Sequence, residues 1–317
     1  VYLLSFRHLI VFTFFSKSIM AHRPRLSIYK KICPLLFLLC VLFFLMKLFI
    51  LLMVVGLSVW AWFFIKGFRR QQKRRLLLSS PFSPAWDAIL KKNLPPYGNL
   101  PPDLLQQLQD VTRIFMAESS FEGCAGLTLT DEIKVTSAAQ ACMLLLNRKV
   151  QYYPNLYSIL VYPSTYVAGT RPTIRGQARQ ASARLGESWH SGAVVLAWDS
   201  VKNGAANFND GHNVTMHEFA HQLDQHYGRA NGAPVLASRS AYSAWARVFS
   251  KEYELLRRKT AKGRKSVMDV YGATNPAEFF AVATETFFEK PVQLRKEHPE
   301  LYEELYGLYR VSPVEWE

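Results

Sequence analysis

The stretch that decides the fold reads Val-Thr-Met-His-Glu-Phe-Ala-His-Gln-Leu-Asp and covers residues 214–224. Its apolar residues recur at helical spacing, which predicts a helix over about residues 211–226. His217 and His221 are four positions apart and therefore lie on one face of that helix. Burying two imidazoles and the Glu218 carboxylate in an apolar helix is costly unless these groups are paired or bind a metal ion. The stretch thus predicts a buried helix with a metal site on one face.

The spacing of these three residues fits zinc chemistry. Neutral imidazole binds zinc at about 2.0–2.1 Å, so His217 and His221 can hold a single ion. Glu218 adjoins His217 and can approach a water molecule on the ion without binding the metal. Zinc lowers the pKa of such a water to about 7, and the carboxylate can then take its proton. The motif predicts one Zn²⁺ and hydrolysis of a peptide bond with Glu218 as the base.

The residues that follow the motif exclude one common arrangement. In a metzincin a third histidine stands ten residues after the first, but Tyr227 occupies that position and His226 is out of register. Asp224 replaces the metzincin glycine. Asp224 lies on the face of His217 and His221, where it can orient a ligand histidine or form an exposed salt bridge. The third protein ligand is therefore expected from elsewhere in the chain.

The best source of a third ligand is a helix predicted at residues 276–289. Glu278 and Glu285 are seven positions apart on it and share a face. Spacing alone leaves the choice between them open. Glu278 can also act as the third residue of a capping box that begins at Asn275.

The distribution of charge indicates a membrane protein rather than a nucleic-acid-binding one. Residues 1–83 hold 13 of the 38 Lys and Arg residues and none of the 24 Asp and Glu residues, so they carry nearly all of the net charge of +14. Residues 48–65 are 18 consecutive residues without a charge, close to the length that crosses a bilayer. Six basic residues follow within 66–75, as expected on the cytoplasmic side. No nucleic-acid partner is predicted.

The apolar segment is interpreted as an anchor rather than a cleaved signal peptide. A signal peptide carries its basic residues before the apolar core and a small-residue cleavage site after it. Here the strongest basic cluster follows the core and no clean cleavage site appears, although Arg23, Arg25, Lys30 and Lys31 also precede the core. We therefore predict a single-pass protein of the bacterial inner membrane with a cytoplasmic catalytic domain. Since the chain does not begin with Met, Met20 and Met46 are both possible starts.

The remaining pattern predicts an α+β fold, because strands at 157–162 and 191–198 lie among helices, with a loop at 164–189 between them. The four cysteines include no CxxC pair and predict neither a disulfide framework nor a cysteine zinc site. Five segments are predicted: a doubtful or non-native extension (1–45), a transmembrane anchor (46–66), a basic linker (67–84), a small helical subdomain (85–148) and a catalytic domain (149–317).

Two motifs carry a resemblance to a known family. Residues 211–224 (GHNVTMHEFAHQLD) and 269–280 (DVYGATNPAEFF) resemble the Mlc titration factor A family of zinc-dependent peptidases, which is similar to the catalytic domain of anthrax lethal factor. The likeness extends from about residue 86 to residue 311. It implies a helical subdomain followed by a zincin-like catalytic subdomain. In such folds the strand before the zinc helix borders the cleft, so a substrate is expected to pair with the edge of the strand at 191–198.

The resemblance also implies roles for particular residues. It implies that Glu278 is the third zinc ligand and that Tyr271 stabilises the oxyanion, for which a phenol is a suitable donor. The alternative for Tyr271 is a core aromatic residue. Asp224 and Glu285 stay candidates for residues that hydrogen-bond to a zinc ligand and orient it without binding the metal.

Two functions from different classes follow from the resemblance. The first is a membrane-anchored zinc peptidase, of aminopeptidase type on small substrates, whose partners are a peptide or protein substrate and the membrane. The second is a regulatory zinc protein that sequesters a partner, because the namesake of the family binds the Mlc repressor. Only the first function requires Glu218.

Overall fold

The fold is known from a computed structural model, which describes residues 26–147, 153–164, 166–167, 183–184, 186–189, 192–225 and 230–316. Side chains are described from residue 37 onwards, except in the short strands between 166 and 189. The chain divides into two units, residues 1–73 and residues 74–317.

The first unit is dominated by a single apolar helix. Helix α1 covers Leu26–Ser79, and its part Phe37–Ser79 is long and apolar enough to cross a membrane. The predicted anchor at 46–66 lies inside it. The helix does not end at Lys66 but continues through most of the predicted linker, because Arg, Lys, Gln and Leu are good helix formers. Pro81 is the first proline after this run.

The second unit contains a four-stranded mixed sheet. Its strands are β1 (Ser120–Gly123), β2 (Ser158–Tyr162), β5 (Gly186–Trp189) and β6 (Ala193–Ala197). They lie in the order β1-β2-β6-β5, with β1, β2 and β6 parallel and β5 antiparallel to β6. A separate pair joins β3 (Tyr166–Val167) to β4 (Ala183–Arg184).

Two expectations about this sheet were wrong. The strand predicted at 191–198 does form, as β6, but β2 and β5 pair with its two sides, so it offers no edge to a substrate. Residues 186–189, predicted as part of a loop, form β5 instead. In the described part of the chain the outer edge beside β6 therefore belongs to β5, which packs against the helix at 214–224.

The helices of the second unit, together with the sheet, confirm the α+β class. They are α2 (Pro84–Asn93), α3 (Pro102–Glu118), α4 (Asp131–Met143), α5 (Trp198–Ala206), α6 (Val214–Asp224), α7 (Arg239–Ala261), α8 (Pro276–Glu289), α9 (Pro291–Glu297) and α10 (Pro299–Tyr309). Short 3-10 turns lie at Pro95–Gly98, Val270–Ala273 and Pro313–Trp316. The predicted helix at 276–289 has the observed bounds.

The core fixes the orientation of α6. Phe219 is fully buried and its ring meets those of Phe115 and Tyr153 at centroid distances of 5.8 and 4.8 Å. These contacts hold one face of α6 in the core and leave the histidines on another face. The predicted boundary at 148/149 lies outside the described residues, so the division into subdomains stays a prediction.

A glycine fixes the start of α8 against the segment that follows α6. Gly232 has a φ of +79°, and a Cβ atom built on it would lie 2.4 Å from the carbonyl oxygen of Pro276. Its N–H donates to Asp224 at 2.7 Å and its carbonyl accepts from the Trp245 indole at 2.9 Å. Gly232 thus contacts residues of three helices, α6, α7 and α8.

We expect Gly232→Ala to lower the free energy of unfolding by about 3 kcal/mol, because the left-handed backbone and the backbone clash both oppose a methyl group. Gly263→Ala is the matched control. Gly263 has a φ of +61° and open space around it, so only the backbone cost of about 1 kcal/mol applies. Urea denaturation of the full chain in detergent micelles measures both, and equal losses would show that the contact with Pro276 is unimportant.

Candidate metal site

Two capped helix ends place the predicted ligands. Asn213 is the N-cap of α6, and its side-chain oxygen accepts the N–H of Met216 at 3.0 Å. Asn275 is the N-cap of α8 and accepts the N–H groups of Ala277 and Glu278 at 2.9 and 3.0 Å. Such caps satisfy N–H groups that a helix leaves unpaired. They also set the position of the first turn of each helix.

The side chain of Glu278 turns towards the histidines rather than back to Asn275. Its Oε2 atom lies 3.0 Å from Nε2 of His217 and 3.3 Å from Nε2 of His221. Ligand atoms of the three residues all lie within 4.8 Å of one another. In a tetrahedral zinc site with bonds of about 2.0–2.1 Å, ligand atoms are separated by about 3.3 Å. The donor set therefore fits a zinc ion.

The charges at this cluster favour an ionised Glu278. Burial by itself raises the pKa of the Glu278 carboxyl, but hydrogen bonds with His217 and His221 outweigh it and lower the pKa to about 2. Burial lowers the pKa of His217, whereas Glu285 and Glu278 raise it, and the net result lies well above the usual value. The cluster is thus built around negative charge that a cation can neutralise.

Glu218 lies beside the cluster with an available carboxylate oxygen. The residue is only 5% exposed, and its Oε2 atom makes no hydrogen bond to the part of the chain that the structure describes. Burial raises the pKa of the Glu218 carboxyl to about 7, against the opposing effect of the two histidines. A carboxylate in this state can exchange a proton near neutral pH.

Glu285 supports His217 from behind. Its Oε1 atom lies 2.6 Å from Nδ1 of His217, and its Oε2 atom accepts the N–H of Asn213 at 2.6 Å. A carboxylate at this position fixes the ring so that Nε2 points to the cluster. The structure therefore separates the two glutamates that spacing left open: Glu278 reaches both Nε2 atoms, and Glu285 reaches the opposite nitrogen of one histidine.

Glu289 is a further residue of this network that the sequence reasoning missed. Its Oε2 atom accepts the N–H groups of Gly211 and His212 at 2.9 and 3.0 Å, and its Oε1 atom accepts from the Asn213 side chain at 3.1 Å. Burial raises the pKa of the Glu289 carboxyl to about 8. The spacing of Glu278, Glu285 and Glu289 on one face of α8 was the signal that could have found it.

Tyr271 lies at the edge of the cluster and is not a core residue. It is 53% exposed, and its ring centroid is 5.9 Å from that of His217. Asp269 accepts the N–H of Tyr271 at 2.7 Å and so fixes the 3-10 turn that carries it. The phenol is thus presented beside the histidines in a partly open position.

Within the described residues, Asp224 and His212 make no hydrogen bond to the three ligand residues. Asp224 is buried, and its two oxygens accept the N–H groups of Gly232 and Ala233 at 2.7 and 2.9 Å. Among the residues that the structure describes, Asp224 forms neither a salt bridge nor a hydrogen bond to a ligand histidine. His212 is exposed and lies 3.6 Å from Asp269. His226 lies outside the described residues.

Comparison with known proteins defines the class of protein. The model of the glucose-regulated metallo-peptidase M90 family matches residues 68–310. The chain therefore belongs to this family of metallopeptidases, and the family implies a bound metal ion.

Individual relatives agree with this family. An uncharacterized protein of Synechocystis sp. is 39% identical over 268 residues, which cover 84% of this chain and 97% of the relative. Mlc titration factor A of Klebsiella pneumoniae is 27% identical over 236 residues, 73% of this chain and 87% of the relative. Mlc titration factor A of Yersinia pestis is 27% identical over 228 residues, 70% of this chain and 83% of the relative.

Proposed function

We propose that the protein is a membrane-anchored zinc peptidase with His217, His221 and Glu278 as ligands. The observation that carries the proposal is the convergence of one carboxylate oxygen and two imidazole nitrogens in a member of a metallopeptidase family. Beside them lies Glu218, whose Oε2 atom has no hydrogen-bond partner among the described residues. Two nitrogens and one oxygen from protein, with room for one further ligand, are the usual set of a catalytic zinc site. A zincin-like fold for residues 149–317 is part of this proposal.

Each residue of the proposed site has a separate role in hydrolysis. Bound zinc would polarise the substrate carbonyl and make a ligated water more acidic. Glu218 accepts the proton of the attacking water at Oε2 and delivers it to the nitrogen of the leaving amine. Tyr271 donates a hydrogen bond to the oxygen of the former carbonyl as negative charge develops there. Glu285 keeps the ring of His217 in the ligating orientation.

Tyr271→Phe tests the role of the phenol. We expect the variant to bind zinc as the wild type does and to lose about 10²–10³-fold in kcat, because one oxyanion donor is removed. Zinc titration and steady-state kinetics on one peptide measure the two quantities. Tyr242→Phe is a matched control, since Tyr242 is also partly exposed and its hydroxyl accepts the N–H of Leu236 at 3.2 Å. Equal activity of both variants would remove Tyr271 from the mechanism.

The substrate and the location complete the proposal. By its resemblance to the family we expect aminopeptidase-type cleavage of small peptides, with the peptide extended along the edge of β5. The candidate span in α1 supports attachment to the bacterial inner membrane, and the basic residues after it support a cytoplasmic catalytic unit.

A peptide library tests the peptidase function directly. The full chain, purified in detergent and supplied with one equivalent of zinc, is incubated with peptides that have free or acetylated N-termini, and products are identified by mass spectrometry. Cleavage that stops with a chelator and returns with zinc supports the proposal. If single residues are removed only from peptides with a free N-terminus, the protein is an aminopeptidase. If peptides are cleaved internally, it is an endopeptidase.

A second candidate function rests on the name of two relatives. Both are called Mlc titration factor A, which favours a protein that binds and sequesters a partner such as a transcriptional repressor. In that case Glu218→Gln should bind the partner as well as the wild type does. Zinc binding without cleavage of any library peptide would favour this function over the peptidase.

A further inference from the structure

A dense basic surface lies at the C-terminal end of α7. Residues 257–265 contain six basic residues and no acidic one, although the 24 acidic residues of the protein all lie beyond residue 83. We call the following side chains the basic surface: Arg257, Arg258, Lys259, Lys262, Arg264 and Lys265. All of them are exposed except Lys259, which is partly exposed.

The backbone of the basic surface forms a hydrogen-bonded turn. Helix α7 ends in a turn in which the N–H of Arg264 donates to the carbonyl of Lys259 at 2.9 Å and that of Gly263 to Thr260 at 3.0 Å. With Gly263 at a φ of +61°, this is the Schellman arrangement of a helix C-terminus. The turn folds Arg264 and Lys265 back beside the last turn of α7, so the charges form one surface.

The charges of the basic surface are almost uncompensated. Arg257 pairs with Glu254 at 2.9 Å. The other five side chains make no ion pair within the described part of the chain. The dipole of α7 favours Arg258 and Lys259 in its last turn. It does not account for Arg264 and Lys265, which lie beyond the helix.

Exposed apolar side chains lie on α7 and on the turn that packs against it. Leu255 is 37% exposed and shares a helix face with Arg258 and Lys259. Val270 is 57% exposed, in the turn that packs against α7 through Gly272 and Leu256. Basic residues next to exposed apolar ones are typical of surfaces that bind the interface of a bilayer.

We propose that the basic surface binds the anionic headgroups of a phospholipid bilayer. Clusters of four to eight Lys and Arg residues that adjoin a membrane span in sequence or lie on an amphipathic helix bind anionic lipid. This chain carries a candidate span followed by a second cluster of the same sign at 66–75. An anchor keeps the second unit at high effective concentration near a bilayer, which makes weak headgroup contacts sufficient. The anchor does not raise the concentration of a nucleic acid near the basic surface, so it does not favour a nucleic acid as the ligand.

Lysine labelling of the full chain in liposomes tests this proposal. One set of liposomes contains phosphatidylcholine alone, and the other also contains phosphatidylglycerol. We expect acetylation of Lys259, Lys262 and Lys265 to slow several-fold in the anionic liposomes and to recover in high salt, since salt screens headgroup attraction. Exposed Lys202 is the internal control and should react equally in both sets.

Two triple variants make the test specific. Substitution of Lys262, Arg264 and Lys265 by Gln should abolish the lipid-dependent protection of Lys259. Substitution of the exposed residues Lys202, Arg239 and Lys296 by Gln removes the same charge elsewhere and should leave that protection intact. Equal labelling in both liposome types would overturn the proposal, and so would protection by a single-stranded RNA but not by phosphatidylglycerol. The readout requires neither zinc nor cleavage, so it is independent of the peptidase function.

Discussion

Glu218→Gln is expected to bind zinc as tightly as the wild type and to lose about 10²–10⁴-fold in kcat, the usual contribution of a general base. The amide keeps the shape of the side chain but cannot accept the proton of the attacking water. Since Glu218 lies beside the ligands and its Oε2 atom has no partner in the described chain, the substitution breaks no hydrogen bond there. Steady-state kinetics on one library peptide and zinc titration of the same preparation measure the two effects.

A buried glutamate elsewhere provides the control for this variant. Glu252 is 4% exposed and contacts Nδ1 of His298 at 2.6 Å, outside the metal network. Glu252→Gln should change stability and leave kcat unchanged. If Glu218→Gln retains wild-type kcat, the residue is not the base, and the mechanism proposed for this site is wrong.

Glu278→Gln is expected to lose zinc almost completely. The substitution removes the negative charge at the point where both Nε2 atoms converge, at 3.0 and 3.3 Å. Glu285→Gln should cost less, about 10–100-fold in zinc affinity, as is usual for residues that orient a ligand. Its amide nitrogen would face either the Asn213 N–H or Nδ1 of His217, and neither arrangement satisfies both groups.

Competition with a fluorescent zinc chelator measures these affinities in the full chain. Glu252→Gln again serves as the control, because Glu252 and His298 form the same 2.6 Å contact as Glu285 and His217. If Glu278→Gln keeps its zinc affinity and Glu285→Gln loses it, then Glu285 is the zinc ligand and Glu278 is the residue that orients a histidine. Unchanged affinity in both variants would place the zinc ligands elsewhere.

The sequence was sufficient to predict the long helices, since their apolar periodicity is strong. The predicted helix at 276–289 has the observed bounds. Strand β5 escaped prediction because Gly-Glu-Ser-Trp has neither alternation nor β-branched residues, and it forms by pairing with β6. The continuation of α1 beyond Lys66 was missed because a change from apolar to basic side chains does not interrupt a helical backbone.

The candidate site was predictable in part, for a similar reason. The spacing of His217 and His221 determines that they share a face, and the structure brings Glu278 to both. Spacing could not choose between Glu278 and Glu285, because residues seven apart on a helix are equivalent until the partner helix is placed. Glu289 and Asp224 bind backbone N–H groups of distant loops. Spacing places Glu289 on the same face of α8 as Glu278, but no sequence pattern predicts which backbone N–H groups these carboxylates bind.

The central claim is that these residues hold one zinc ion, and metal content tests it most directly. The full chain is purified in detergent, equilibrated with a small excess of zinc and separated from free metal. Its zinc content is then measured by inductively coupled plasma mass spectrometry. Circular dichroism of the same sample confirms that it is folded. We expect about one zinc per chain in the wild type, as in a catalytic site of this kind, and close to none in Glu278→Gln. Folded wild-type protein without zinc would contradict the account.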